Sequence, residues 1–106
     1  IINSSNVTVD LNGYTLDGDN QNGESGINLQ ISTINVSIFN GNIIDWGQHG
    51  IEGFNSNQGK IKYLNVSNCS YDGISVGDNW VVDYCVTTAN GFDGIDVANS
   101  WNVNLI

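Results

Sequence analysis

The sequence has no proline, arginine or methionine, and holds only two lysines, two alanines, two glutamates, two cysteines and one histidine in 106 residues. So few Ala, Glu, Lys, Arg and Met residues remove most strong helix formers and exclude an α-helical bundle. Eleven acids against two bases give a formal charge of -9, so no basic patch exists to displace counterions. Nucleic acid and anionic membrane surfaces are disfavoured as partners. No apolar run approaches the roughly 20 residues that a membrane helix needs. The opening Ile1-Ile2-Asn3-Ser4 lacks the features of a signal peptide. With no initiator Met, residues 1–106 read as one mature or excised domain of a longer chain or assembly. One His and two Cys at unrelated positions are too few for a copper or zinc site, and no cofactor is expected. Cys69 and Cys85 leave two options open, a disulfide in an oxidising compartment or two buried thiols.

What the chain does contain is 18 Asn, 13 Gly, 13 Ile and 10 Val. β-Branched residues punctuated by turn residues favour strands. Polarity carried by Asn, Ser, Thr and Gly reads as a folded extracellular β-protein rather than an acidic disordered tail. Four Gly-Ile pairs recur, Gly26-Ile27, Gly50-Ile51, Gly73-Ile74 and Gly94-Ile95, at spacings of 24, 23 and 21 residues. Between them run short alternations such as Val7, Val9, Leu11 and Ile34, Val36, Ile38, each bounded by Asn-Gly, Asp-Gly or Asn-Ser. They read as strand, turn, strand, with second strands over 27–31, 74–76 and 95–97. Such a unit cannot bury its own apolar face and must stack on copies of itself. The pattern predicts an all-β, right-handed, single-stranded parallel β-helix, or β-solenoid, of about four to five coils.

Stacking predicts columns. Val36, Ile61, Val82 and Val103 form one inward column and Phe39, Leu64, Cys85 and Ile106 another, while Trp80 over Trp101 and Asp72 over Asp93 form outer or corner ladders. Residues 17–25 read as a loop bulging from the first coil. His49 falls in the column of Ser25, Asp72 and Asp93, which makes it a solvent-facing turn residue.

The opening Asn6-Val7-Thr8-Val9-Asp10-Leu11-Asn12-Gly13-Tyr14-Thr15-Leu16-Asp17-Gly18, followed by Asp-Gly-Ile repeats, resembles the coils of the pectin-lyase-like superfamily. That resemblance implies the parallel β-helix but no single activity, since the superfamily includes lyases, hydrolases, epimerases, tailspikes and adhesins. Asp93-Gly94-Ile95-Asp96-Val97 resembles a catalytic coil of polygalacturonases, whose reaction needs two or three carboxylates on one strip. Asp72, Asp93 and Asp96 are the residues it implies. Gly91-Phe92 stands where that family carries Asn-Thr, however, no Arg-x-Lys clamp is present, and Asp before Gly is itself turn chemistry. An arginine base of the pectate-lyase kind is excluded, since the chain has no Arg. Calcium is the one ion the acids invite, at Asp17, Asp19 and Glu24 or at Asp72 and Asp93. Gln21 and Asn28 fit the calcium-loop pattern poorly.

Five Asn-x-Ser/Thr sequons stand at Asn3, Asn6, Asn35, Asn65 and Asn68. Asn35 and Asn65 are expected on strands with outward side chains, where glycans would block sheet-on-sheet aggregation. Trp46, Trp80 and Trp101 are candidates to stack on sugar rings, and Trp80 and Trp101 form the favoured pair. These features predict a non-catalytic extracellular or cell-surface scaffold, structural, adhesive or fibre-forming by end-to-end stacking. Its partner would be carbohydrate, as covalent glycan or polysaccharide ligand. The competing expectations are the N-terminal coils of a polygalacturonase-like hydrolase and a carbohydrate-binding module.

Overall fold

A computed structural model describes residues 1–21, 23–97 and 99–106. Among them the only regular elements are short strands. The first coil carries β1 (Thr8–Asp10), β2 (Thr15–Asp17) and β3 (Ile27–Asn28), and the second β4 (Ser37–Ile44) and β5 (Ile51–Gly53). The third holds β6 (Lys60–Ser67) and β7 (Ile74–Val76), and the fourth β8 (Val81–Asp83), β9 (Val86–Thr88) and β10 (Ile95–Asp96), with β11 (Asn104–Leu105) opening the next turn. Every strand pair is parallel. One sheet runs β1-β4-β6-β8-β11, with β2 also on β4 and β9 also on β6; the other runs β3-β5-β7-β10. The chain is a parallel β-solenoid of about four turns, as the Gly-Ile period predicts.

Ile27, Ile51 and Ile74 are buried and stacked in register, and Ile95 packs partly buried above them. Across the core lie Ile38, Ile61 and Val82. Two predicted columns are thus corrected. Ile38, not Val36, pairs with Ile61, and Leu105, not Val103, pairs with Val82. Phe39 pairs with Lys62, and the place above Leu64 in the second coil belongs to Gly41. A Cβ on Gly41 would meet the Leu11 side chain, so a leucine of the first coil fills the space that Leu64 fills in its own. Each correction is a shift of two residues; within each coil alternation is interrupted at Asn40, Tyr63 and Tyr84, left-handed at φ 68°, 53° and 49°. A left-handed residue inside a strand turns residues three apart to the same face, which puts Ile61 and Leu64 both inward. The second strands are also shorter than predicted, ending at Asn28 and Asp96.

Corners explain the asparagine content. Among the described residues, nine of the 15 non-glycine residues at positive φ are Asn, the side chain best suited after glycine to that conformation. Asn35 is one of them, so it lies at a corner before β4 and not on a strand. Asparagine amides then bond from coil to coil, Asn35 Nδ2 donating to Asn6 Oδ1 (2.8 Å) and Asn65 Nδ2 to Asn42 Oδ1 (3.0 Å). Among the described residues no helix is long and apolar enough to cross a membrane.

Candidate functional site

The chemistry gathers on the outer face of the four-stranded sheet. Each coil contributes one four-residue unit there: Ser25-Gly26-Ile27-Asn28, His49-Gly50-Ile51-Glu52, Asp72-Gly73-Ile74-Ser75 and Asp93-Gly94-Ile95-Asp96. The isoleucine enters the core, so the residue after it points to the other face of the sheet, while the first residue of each unit lies in the turn before the strand. Glycine is required between the first residue and the isoleucine because the coils approach closely: a Cβ would lie 2.6 Å from Gly73 O at Gly50 and 2.7 Å from Gly94 O at Gly73. Two polar columns result, Ser25-His49-Asp72-Asp93 and Asn28-Glu52-Ser75-Asp96.

Both columns are cross-bonded. Glu52 Oε2 accepts from Ser25 Oγ (2.7 Å) and Asn28 Nδ2 (2.9 Å), and Gln30 Nε2 donates to Asn28 Oδ1 (2.7 Å). Asp72 Oδ1 accepts the Asp93 backbone N–H (2.9 Å), and its Oδ2 lies 3.2 Å from His49 Nδ1. The His49–Asp72 pair is close in distance but not aligned as a hydrogen bond. His49 does stand in its predicted column, yet it does not face solvent. Its side chain is 15% exposed, because Tyr71 packs edge-on at 5.4 Å and Phe54 at 6.4 Å between ring centroids. Phe92 extends this run of rings, 5.2 Å from Tyr71. Asp72 and Asp93 are stacked as predicted, and Asp96, three residues on, stands in the neighbouring column. Of the three only Asp72 is buried, held by the backbone of the next coil.

Beyond Glu52 the chain turns at Phe54-Asn55, closed by the Ser56 N–H donating to Gly53 O (3.0 Å). A buried polar stack locks this turn from inside. Trp80 Nε1 donates to Ser56 O (2.7 Å), Ser56 Oγ donates to Thr33 O (2.9 Å), and Thr33 Oγ1 sits 2.8 Å from Ser56 Oγ. Trp80 is therefore a core residue, 0% exposed, and offers no ring face to a sugar. Nor does it stack on Trp101, since the backbone N–H of Asn104 donates to Trp80 O while Trp101 bonds to Asp78 and Asn79. Gly59 leaves the room for the indole, as a Cβ there would enter the Trp80 ring. Trp101 is 77% exposed beside Asp78. Half-buried Trp46 donates from Nε1 to Leu16 O (3.2 Å).

The Phe54 ring, 49% exposed, stands between two shallow depressions of about 220 and 410 Å³. Asn28, Gln30 and Glu52 line the first; Asn57, Asp78 and Asn99 line the second; Phe54 and Asn55 are common to both. Phe54 escaped the sequence reading. Its signal was an aromatic at a turn where the other coils carry Gln30 and Gly77.

The remaining candidates are dispersed. All five sequon asparagines are exposed, with the Nδ2 atoms of Asn35 and Asn65 engaged in the coil-to-coil bonds above. Cys69 and Cys85 are free thiols, so the disulfide option falls, and burial pushes both thiols up from their ordinary value. Asp19 Oδ1 caps the Gln21 N–H (3.1 Å), a turn role. Among the described residues no three His, Cys, Asp or Glu side chains gather as a metal site. Comparison with known proteins finds no matching family model, no matching curated protein and no matching solved structure.

Proposed function

We propose that the chain is a non-catalytic extracellular scaffold, a structural or adhesive β-solenoid that meets carbohydrate and carries glycans on its exposed sequons. The observation that carries this reading is the use made of the polar side chains. Asp72 holds the next coil's backbone, Glu52 holds Ser25 and Asn28, and the asparagines bond to one another. Groups spent on coil-to-coil bonding build a stiff wall with fixed surface chemistry, which is what an adhesive surface requires. The test is intact mass and sedimentation of protein secreted from a glycosylating host. Sugar mass at Asn3, Asn6, Asn35, Asn65 or Asn68, or an assembly larger than a monomer, is expected. A bare monomer from such a host would remove the reading.

A second reading, a polysaccharide hydrolase of the pectin-lyase-like kind, is favoured by one observation: Glu52, Asp72, Asp93 and Asp96 stand in two neighbouring columns of the short sheet. It predicts reducing-sugar release that Asp93→Asn abolishes while the unfolding midpoint stays unchanged. Release that persists in Asp93→Asn, or no release from any polysaccharide, rejects it.

A further inference from the structure

From the Phe54 turn we infer a carbohydrate-binding site for pyranose rings that carry no anionic group, neutral or amine-bearing. The inference deepens the adhesive reading and rests on it for biological context, but its physical basis is separate. Three features converge at this turn. The first is an aromatic ring half in solvent. A sugar's C–H face is apolar and weakly positive, and it packs on the negative face of an aromatic ring. The second is the lining. Planar amides of Asn28, Gln30, Asn55 and Asn57 carry both donors and acceptors, and the carboxylates of Glu52 and Asp78 add acceptors. Adjacent hydroxyls of a pyranose, each donor and acceptor at once, match such groups in pairs. The third is rigidity, supplied from below by the Trp80–Ser56–Thr33 stack and from the side by the Gln30→Asn28→Glu52 chain of hydrogen bonds. Groups already held in place lose little freedom on binding, which favours a shallow site with few contacts.

The sign of the charge narrows the ligand. Glu52 and Asp78 are the only charged groups in the two depressions, and both lysines of the chain lie in β6 on the other sheet. A uronate or sulfated sugar would bring like charge to a face with no counter-cation. An uncharged hydroxyl finds acceptors there, and an ammonium finds partners. Because the two depressions flank one ring along the coil axis, successive sugars of one chain would occupy both, with Phe54 under the linkage or under one ring. Tyr71 (42% exposed) and Phe92 (71%) are also aromatic and open to solvent, but neither lines either of these two depressions, which makes the more exposed Phe92 the internal control.

The test is titration of the 15N-labelled protein with four soluble probes: cello-oligosaccharide, deacetylated chito-oligosaccharide, oligogalacturonate and a lysine octapeptide. Saturable shifts of the backbone amides of Gln30, Phe54, Asn55 and Asn57 are expected with the first, the second or both, and these two arms separate the neutral from the amine-bearing source. Oligogalacturonate is expected to leave them unmoved. Phe54→Ala and Phe54→Leu, both at a half-exposed turn position, should each weaken binding about tenfold, a change of roughly 1.4 kcal/mol. Phe92→Ala should bind as the parent does. Thermal unfolding of each variant keeps loss of binding apart from loss of fold. The proposal is overturned by shifts from neither sugar, by binding that survives both Phe54 variants, or by stronger binding of the uronate. It is equally overturned if the lysine peptide alone moves these amides, which would assign the face to basic protein. Glycan mass and assembly state are read on the same material, so failure of this site leaves the scaffold reading standing, and the converse also holds.

Discussion

The two walls of the solenoid are built by the same stacking rule but from different side chains. On the long sheet three contacts tie neighbouring coils on the outside: Asn42 bonds Asn65, Tyr63 stacks on Tyr84 at 5.3 Å and 14°, and Lys62 meets Asp83 at 3.7 Å, within columns such as Asp10-Phe39-Lys62-Asp83 that also change residue from coil to coil. Each coil there finds its partner in the coil next to it. On the short sheet the columns are heterotypic, Ser25-His49-Asp72-Asp93 and Asn28-Glu52-Ser75-Asp96, and they end at a turn whose surface residues change from Gln30 to Phe54 to Gly77. What separates the walls is therefore where their columns end, and it is beside the short-sheet columns, at the Phe54 turn, that the two depressions lie.

The contrast can be broken at several points. The largest effect should come from Trp80→Ala, which empties the core and orphans Ser56 O beneath the Phe54 turn. A loss of about 3–5 kcal/mol is expected in denaturant unfolding, together with loss of ligand binding at a site the residue never touches. If stability falls while Phe54 still binds, the internal stack does not position the turn. Gly50→Ala should cost about 1–3 kcal/mol, because the added methyl meets Val66 and Gly73 O. Asp72→Ala on the short wall leaves the Asp93 N–H without its acceptor and should cost about 1–3 kcal/mol, against about 0.5–1.5 kcal/mol for Asn65→Ala on the exposed long wall. Equal costs would erase the distinction between the walls.

The smallest effect concerns the thiols. Burial pushes Cys69 and Cys85 above the ordinary value of 9.0, so the folded chain favours their neutral forms. Their contribution to stability is fully present below the unfolded thiol value and is lost as the pH rises from there through the folded values. Stability measured across this alkaline range should fall more in the parent than in a Cys69→Ala, Cys85→Ala double variant compared with its own neutral-pH value. Parallel curves would contradict the assignment.

How legible was this in the sequence? The period, the inward Ile27-Ile51-Ile74-Ile95 column and the Asp72-over-Asp93 ladder follow from spacing alone, because a parallel stack repeats its chemistry at fixed intervals. Register on the long sheet did so only in part: Ile61 over Val82 is as predicted, but the second and last coils are each shifted by two residues, because coil length there is set by turns that spacing does not fix. Trp80 was misplaced for a related reason: whether an indole points in or out is settled by the missing side chain of Gly59, one coil away. The column of His49 is legible from spacing but its environment is not, since Tyr71 covers it from the next coil and Phe54 folds back on it from the turn after β5. Spacing shows which residues are stacked, but a residue's cover comes from side chains remote in sequence.

One further consequence attaches to the two tryptophans that were mistaken for a pair. Trp80 sits in a dry interior with its indole N–H bound to a backbone oxygen, whereas Trp101 stands in water. The blue side of the indole emission therefore gives the molecule an internal gauge of whether its coils remain closed, and replacing Trp101 by phenylalanine would leave that signal overlapped only by half-buried Trp46.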